Sequence, residues 1–296
     1  MNDHSKFRIS ATCLVVLTIL LGSCSSILFE NPVPQKADEL KVIPDYLSGL
    51  YEATESDGAE KSDEIFLDLL RLERLNDHKL LATAMRGFRR EDLPKFEKLL
   101  AEDKQKGEIL DYFVTASQAY YTLKQDQSDA SEQKRGGHFV TFEAVGDYLL
   151  FPQSKEMLFS FDLAAGKQIL FEKAQSSSST NSPYFKTATD SLTATERIMV
   201  TKGEKDEIWF SMKNEESRWS LIYIKRLSDT ELLVKHSEIG EKADLKQSLD
   251  RYNAITPFKK EGDSNNYLIN PTDAQLKKLL ADPHLFSSMK LKKLPF

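Results

Sequence analysis

The fold class of this 296-residue chain follows from one stretch in its middle, which contains Phe139-Val140-Thr141-Phe142, Tyr148-Leu149-Leu150-Phe151, Met157-Leu158-Phe159-Ser160-Phe161 and Gln168-Ile169-Leu170-Phe171. Each run has the length and the aromatic and β-branched content of a strand. The connections Val145-Gly146-Asp147 and Ala164-Ala165-Gly166-Lys167 are short and contain glycine, as hairpin turns do. The stretch therefore predicts a meander of antiparallel strands.

More strands are expected on both sides of this meander. Before it, residues 70–73 alternate apolar and polar, residues 76–79 form a turn, and residues 80–85 return. After it, strand-like runs follow at 197–201, 207–212, 218–225 and 231–236, and a last strand is expected between Leu285 and Leu294. Strands grouped in this way, rather than alternating with helices, argue against a parallel α/β fold. We predict an α+β protein of mostly antiparallel β meanders, sandwich- or barrel-like, with a few short helices.

Three helices are expected. The first spans 92–104, with Asp92 as N-cap and Pro94 in the first turn. The second spans 242–252. The third spans 272–280, where Thr272 and Gln275 have the spacing of a capping box.

An internal sequence echo accompanies two of the predicted hairpins. Arg74-Leu75-Asn76-Asp77-His78-Lys79-Leu80-Leu81 matches Arg226-Leu227-Ser228-Asp229-Thr230-Glu231-Leu232-Leu233 in five of eight positions. A duplicated β-rich module would explain the match. Convergence on good turn chemistry would explain it equally, because aspartate is common at such turns.

The N-terminus reads as an export signal. Lys6 and Arg8 precede an apolar run at 11–21, which is too short for the ~20 residues that cross a bilayer. The following Leu21-Gly22-Ser23-Cys24 resembles the lipobox of bacterial lipoproteins. That resemblance implies that residues 1–23 are a signal peptide, and that Cys24 carries fatty acyl chains such as palmitate and anchors the protein. The alternative is an ordinary signal peptide with a chance cysteine.

The remainder divides into four stretches. Residues 24–43 contain alternate prolines and predict an extended tether, with residues 27–29 at the lipid interface. Residues 44–123 predict an N-terminal β-rich module with one helix, 124–137 a flexible polar loop, and 138–296 a C-terminal β-rich module with terminal helices; the two modules could form one body. The opening Ile43-Pro44-Asp45-Tyr46-Leu47-Ser48-Gly49-Leu50-Tyr51, with Phe29-Glu30-Asn31-Pro32, resembles the start of uncharacterised β-rich lipoproteins from Bacteroidota.

Charge and cysteine content exclude several classes. The chain carries 40 Lys and Arg against 46 Asp and Glu, a net charge of −6, with a pI near 5.6. A nucleic-acid-binding protein would need a basic stripe, so no nucleic-acid partner is expected. Of the 2 cysteines, Cys13 lies in the signal and Cys24 is the lipidation site, so the exported part has neither a disulfide nor a cysteine metal site.

Motifs for catalysis are weak. The sequence contains no nucleophile elbow, zinc-binding His-Glu-x-x-His or phosphate-binding glycine loop. Ser-x-x-Lys occurs at Ser131/Lys134 and Ser287/Lys290, and an acidic run begins at Glu55, but loose patterns of this kind arise by chance. The histidines His78, His138, His236 and His284 lie far apart. We therefore expect no catalytic residue, no metal site and no cofactor, although the enzyme question stays open.

The remaining lead is aromatic. Trp209, Phe210, Trp219, Tyr223, Tyr120 and Tyr121 fall on predicted strands, where they form either a core or an exposed platform. Trp209 and Trp219 suit a cross-strand pair.

The function expected is that of a non-catalytic membrane-anchored lipoprotein that binds an envelope protein or a ligand. The alternatives are an envelope hydrolase with unidentified carboxylates and a carrier of an apolar ligand in a β-barrel. Ser25 after the cysteine, with no charged run following it, favours the periplasmic face of the outer membrane. The sequence leaves the oligomeric state open.

Overall fold

The computed structural model describes residues 27–55, 65–123, 137–151, 155–174, 194–195, 197–213, 217–237, 245–262, 266–283 and 285–295. The strands are β1 (Ile27–Phe29), β2 (Gly49–Glu55), β3 (Leu67–Asn76), β4 (Lys79–Arg89), β5 (Ile109–Val114), β6 (Gln118–Leu123), β7 (Gly137–Thr141), β8 (Glu143–Val145), β9 (Tyr148–Phe151), β10 (Lys155–Asp162), β11 (Lys167–Ala174), β12 (Ala194–Thr195), β13 (Arg197–Lys202), β14 (Glu207–Lys213), β15 (Trp219–Arg226), β16 (Glu231–His236), β17 (Phe258–Lys260), β18 (Tyr267–Ile269) and β19 (Ser287–Lys293). The helices are α1 (Leu93–Gln105), α2 (Leu245–Ile255) and α3 (Asp273–Ala281).

The predicted fold class is confirmed. A 16-stranded sheet runs in the order β12-β11-β10-β4-β3-β2-β19-β16-β15-β1-β18-β17, with β9 and β8 branching from β4, and β14 and β13 from β15. Its pairs are antiparallel except β1 with β18. A separate 3-stranded sheet contains β5, β6 and β7. In the described residues no helix is long and apolar enough to cross a membrane.

The large sheet curls around one core, here called the inner core. Phe161 on β10 contacts Phe210 on β14 with ring centroids 5.3 Å apart, although these strands are far apart in the strand order. Where the curled sheet meets itself, the Ile198 N–H donates to the Gly166 carbonyl at 2.8 Å. The inner core contains Ile43, Leu47, Tyr51, Leu72, Leu80, Ala82, Phe161, Ile198, Val200, Ile208, Phe210, Met212, Ile224, Leu232, Val234, Met289 and Leu291. Strands from residues 44–123 and from residues 138–296 thus share one sheet and one core.

An outer core forms on the opposite face of β14 and β15, beneath α2 and α3. Side chains alternate across a strand, so Trp209 and Tyr223 face outward while Phe210 faces inward. Tyr252 of α2 and Leu276 of α3 cover them. The predicted capping box at the start of α3 is present: Gln275 N–H donates to Thr272 Oγ1 at 3.3 Å, and the Thr272 N–H donates to Gln275 Oε1 at 2.8 Å.

A third cluster packs α1 against the second half of β4 and the loop before β3. Its centre is a set of phenylalanine rings, most of them in edge-to-face contact: Phe66, Phe88, Phe96, Phe142 and Phe151. Such pairs add about 0.5–1.5 kcal/mol each beyond their buried area. The cluster fixes α1 beside the small sheet.

The predicted tether at 24–43 is wrong for its described part, residues 27–43. Ile27 is 0% exposed, β1 pairs with β15 and β18, and Val33 exchanges hydrogen bonds with Ser211 Oγ at 2.9 and 3.1 Å. Glu39 then bridges to Thr201 on β13, and Ile43 enters the inner core. The side chains of residues 27–29 are therefore buried in the protein rather than inserted in lipid: Ile27 and Phe29 pack in the outer core, and Leu28 is 5% exposed.

The two hairpins with the sequence echo have the same structure. In the first, Arg74 pairs with Leu80; in the second, Arg226 pairs with Leu232. The same agreement extends over a unit of four strands, β2-β3-β4-β10 in one half and β14-β15-β16-β19 in the other. Between the first two strands, Tyr51 pairs with Leu70 as Phe210 pairs with Ile222. Between the second and third, Leu72 pairs with Ala82 as Ile224 pairs with Val234. Between the third and fourth, Leu80 pairs with Phe161 as Leu232 pairs with Leu291. The fold thus contains two copies of one four-stranded unit, here called the first and second repeat.

Candidate functional site

Both repeats turn at the same end of the curled sheet. We call this surface the hairpin end: it comprises the β3–β4 turn at 77–78, the β15–β16 turn at 227–230, and the segment 42–48 that runs between them. This segment includes a 3₁₀ turn, Asp45–Leu47, whose Leu47 is buried in the inner core. It closes the end of the core, because apolar side chains from it fill the space between the two turns.

An arginine holds each turn. Arg74 forms ion pairs with Asp77 in its own turn and with Asp45 in the segment. Arg226 pairs with Asp229 in its turn and with Asp206 at 4.0 Å. In each repeat the arginine therefore ties its turn to an aspartate that precedes the first strand of the unit. We call each of these ion-paired turns an arginine corner.

Two tyrosines lie at this end of the core, Tyr46 in the segment and Tyr51 on β2, and Arg226 influences both. The Arg226 guanidinium lies 4.9 Å from the centre of the Tyr46 ring. Tyr51 donates from its hydroxyl to the carbonyls of Tyr46 and Leu47 at 3.0 and 3.1 Å. Burial, then the nearby Tyr46, raise the pKa of Tyr51 to about 12, with Arg226 opposing them. Burial raises the pKa of Tyr46 as well, followed by the charge of Asp206. Both hydroxyls therefore stay neutral at physiological pH.

Exposed apolar side chains surround these charges. Leu75 is 51% exposed and Leu227 44%, and they occupy the same position of the two repeats. Val42, in the segment, is 47% exposed. Single exposed leucines are ordinary, and these two are distinguished by their equivalent positions in the two repeats, beside the turns that the segment 42–48 joins.

A depression of about 560 Å³ lies beside the first turn. Its lining is largely polar and includes Glu39, Lys41, His78, the 163–166 turn and Arg197. His78 Nδ1 lies 2.7 Å from the Lys41 carbonyl oxygen, and the Asn76 side chain accepts from the His78 N–H at 2.9 Å. The contact with the Lys41 carbonyl orients the imidazole at the edge of the hairpin end.

A second surface is aromatic. On the small sheet, Phe113 stacks on Tyr120 with centroids 5.6 Å apart and planes at 19°, and Phe113 is 43% exposed. A depression of about 660 Å³ lies between this sheet and α1, lined by Glu97, Lys104, Tyr112 and Phe113 among others. Lys104 Nζ lies 5.8 Å from the centre of the Tyr112 ring and 2.8 Å from Asp111 Oδ1.

The aromatic residues singled out in the sequence divide between core and surface. Trp209, Phe210, Trp219 and Tyr223 are buried, whereas Tyr120 and Tyr121 are half-buried on the small sheet. The Trp209–Trp219 pair is wrong: the strand register places Trp209 opposite Tyr223, with ring centroids 4.7 Å apart, and Trp219 opposite Lys213. The prediction from spacing alone missed this register, in which Lys213 and Trp219 form the pair nearest the connection between the two strands.

The other candidate residues do not assemble into a site. Cys24, Ser131, Lys134 and His284 lie outside the described residues, as do the polar loop at 124–136 and the acidic residues after Glu55. Ser287 and Lys290 lie three positions apart on β19 and thus point to opposite faces, which excludes a serine–lysine pair there. In the described part of the chain no group of acidic, histidine or cysteine side chains has the geometry of a metal site.

One buried histidine was not singled out as important from the sequence. His236 lies at the end of β16, nine-tenths buried, and burial lowers its pKa to about 4. Next to it on β16, the Lys235 ammonium donates to the Leu280 carbonyl at 2.7 Å, and burial lowers the pKa of this amine.

No protein-family model matches the chain, and none of the curated proteins compared with it is similar.

Proposed function

We propose that this chain is a lipid-anchored protein of the bacterial envelope that binds a partner protein through its hairpin end. The exposed pair Leu75 and Leu227, at equivalent positions of the two repeats, carries the binding part of the proposal, together with the exposed Val42 of the segment between the turns. An apolar centre with a rim of charges is the usual composition of a protein interface. Here the rim consists of the ion-paired arginine corners.

The anchor is supported by the pattern Leu21-Gly22-Ser23-Cys24 after a basic and apolar leader. More than one acyl chain is needed for stable attachment, because a single myristoyl chain binds membranes only reversibly. A periplasm-facing position at the outer membrane is proposed from Ser25 and the absence of a charged run after it. Protease added to intact cells should leave the protein whole; degradation would place it on the cell surface.

The alternatives have less support. The inner core is filled by side chains from both repeats, so the curled sheet offers an apolar ligand little room. No arrangement of paired carboxylates in a cleft emerges from the described residues to favour a hydrolase. A second candidate is ligand binding at the stacked pair Phe113 and Tyr120, since a flat exposed aromatic face suits a planar or sugar ring.

Site-specific photocrosslinking in living cells tests the proposal. A photoreactive amino acid replaces Leu75 or Leu227 in the hairpin end, and Leu99 serves as a matched control because it is an equally exposed leucine on α1. We expect one crosslinked species of the same mass from both hairpin positions and none from Leu99. Crosslinking from Phe113 alone would support the ligand surface instead, and no specific product from Leu75 and Leu227 would refute the proposed interface.

A separate assay addresses the anchor. The intact protein should carry the mass of its acyl groups and partition into detergent, and Cys24→Ala should abolish both. A protein that is exported and processed but carries no lipid would refute the lipoprotein proposal without bearing on the interface.

A further inference from the structure

We propose that the body of this protein lies directly against the lipid bilayer, with the edge strand β17 facing the headgroups. This inference rests on the proposed lipidation of Cys24. It goes further by naming the surface that contacts the membrane and by excluding the long tether that the sequence suggested.

The chain between Cys24 and Ile27 is too short to act as a tether. The Ile27 N–H donates to the Ser237 carbonyl at 2.8 Å, and β1 is held between β15 and β18, so Ile27 is fixed in the body. Three residue steps separate Ile27 from Cys24. A fully extended chain spans at most about 3.6 Å per residue, so Cys24 lies within about 11 Å of Ile27 in any conformation. A lipidated Cys24 therefore brings the membrane surface to this part of the body.

Strand β17 lies within that distance of Ile27. Ile27 pairs with Tyr267 on β18, and Tyr267 pairs with Lys260 on β17. Neighbouring strands are about 4.8 Å apart, so the Lys260 backbone is about 10 Å from Ile27. β17 ends the strand order of the sheet. This edge of the sheet, here called the rim, therefore lies within reach of the anchor.

The charge of this rim fits a phospholipid surface. Lys259 and Lys260 are both exposed. The next residue, Glu261, accepts a hydrogen bond from Arg218 Nε at 2.7 Å, so its negative charge is neutralised by an ion pair. Exposed lysines are attracted to an anionic bilayer surface, so these two favour one orientation of a body that the lipid already holds in place.

The hairpin end lies away from this rim. Strand β16 leads from the hairpin turn to Ser237, which is bonded to Ile27. Six residues of strand at about 3.4 Å each place the turn about 20 Å from Ile27. The arrangement leaves Leu227 free to meet a partner while β17 faces the lipid.

The experiment uses the lipidated protein in vesicles of phosphatidylethanolamine and phosphatidylglycerol that contain a headgroup-labelled quencher lipid. Lys260→Cys or Leu227→Cys is labelled with a thiol-reactive fluorophore, and no other thiol competes because Cys24 carries the lipid and Cys13 lies in the signal. We expect at least twofold stronger quenching at position 260 than at position 227. A Gly/Ser insertion of 20 residues between Ser26 and Ile27 has a root-mean-square length of about 25 Å and should reduce the quenching at 260 to the level at 227.

The outcomes separate the two proposals. Lipidated protein with equal quenching at both positions would overturn the membrane-facing rim and leave the lipoprotein proposal standing. Protein that lacks the acyl mass and does not bind vesicles would overturn the proposed anchoring, and this inference with it. Strong quenching at 260 that survives the insertion would show that the rim binds lipid by itself rather than through the short connection.

Discussion

The two repeats share a backbone but differ in what fills them. Register and the arginine corner are the same in both, whereas the side chains that face the inner core change in size. Equivalent positions hold Tyr51 and Phe210, Ala82 and Val234, and Phe161 and Leu291. A large residue in one repeat thus often stands where the other has a smaller one. Interiors tolerate such exchanges when total volume is kept, so register rather than residue identity defines the unit.

The same two features fix the strand register of both hairpins, β3 with β4 and β15 with β16. A shift by one residue would turn every inward side chain outward. The arginine at the end of β3 and of β15 fixes the turn by binding an aspartate within it, and the inward leucines Leu80 and Leu232 follow immediately. Local turn chemistry and the apolar pattern therefore specify the same pairing.

The largest effect is expected from breaking each repeat at its equivalent leucine. Leu80→Ala and Leu232→Ala each remove a side chain that is 2% exposed and should lower the free energy of unfolding by about 2–5 kcal/mol. Both tryptophans lie in the second repeat, so tryptophan fluorescence reports its unfolding. Because the repeats share the inner core, Leu80→Ala should shift the urea midpoint of that signal as Leu232→Ala does. An unchanged midpoint with Leu80→Ala would mean that the repeats unfold separately.

The next largest effect is a pH dependence of the free energy of unfolding, to which a histidine found only in the second repeat contributes. His236 in the second repeat stands where the first has Ala84. Burial lowers the pKa of His236 to about 4, against about 6.5 in the unfolded chain. The unfolded state therefore takes up a proton first, and stability is full above pH 6.5 and falls as pH decreases toward 4, by about 3 kcal/mol.

The variant His236→Ala makes the second repeat resemble the first and should flatten the dependence of unfolding free energy on pH between 6.5 and 4. Urea unfolding at half-unit pH steps measures this slope. A slope equal to that of the unmodified protein would assign the acid sensitivity to another group.

A smaller effect is expected at the corners. Arg74→Ala and Arg226→Ala should each cost about 1 kcal/mol, because their aspartate partners are largely exposed. Only Arg226 also lies over the Tyr46 ring. A double-mutant cycle of Arg226→Ala with Tyr46→Leu should therefore give a coupling of about 0.5–1 kcal/mol, larger than the cycle of Arg74→Ala with Tyr46→Leu. Equal couplings would remove this distinction between the corners.

The smallest effect on stability is expected at the exposed leucines. Leu75→Ser and Leu227→Ser should change the unfolding free energy by less than about 0.5 kcal/mol, because both side chains are already half in water. Each substitution should instead reduce the yield of the partner crosslink formed by a photoreactive amino acid at the other of the two leucine positions. A large loss of stability, measured by thermal unfolding, would show that these leucines support the fold rather than an interface.

Much of the fold could be predicted because it is local. The hairpin at 70–85, the capping box at Thr272 and the turns that contain Gly146 and Gly166 each involve residues close in sequence, and the structure confirms them. The role of Ile27 and its neighbours could not be predicted, since an apolar triplet beside a lipidation motif suits a membrane and a core equally. Its strand partners Trp219 and Tyr267 are separated from it by most of the chain.

The candidate site was only partly foreseeable. The sequence echo pointed to both turns. Alternation from the inward-facing Leu72 and Ile224 places Leu75 and Leu227 on the outer face of the sheet, but no local pattern shows whether another element covers them there. The segment at 42–48 joins the site through long-range contacts that no local pattern contains.

The placement of β1 also dictates an order of events during biogenesis. The N-terminus is synthesised first, yet β1 needs β15, and then β18 near the other end, before it has any partner. Contacts between residues so distant in sequence form late. Strand β1 therefore remains unpaired until most of the chain has been made. Enzymes that attach the proposed lipid to Cys24 would have this interval to act, before β1 is fixed in the sheet.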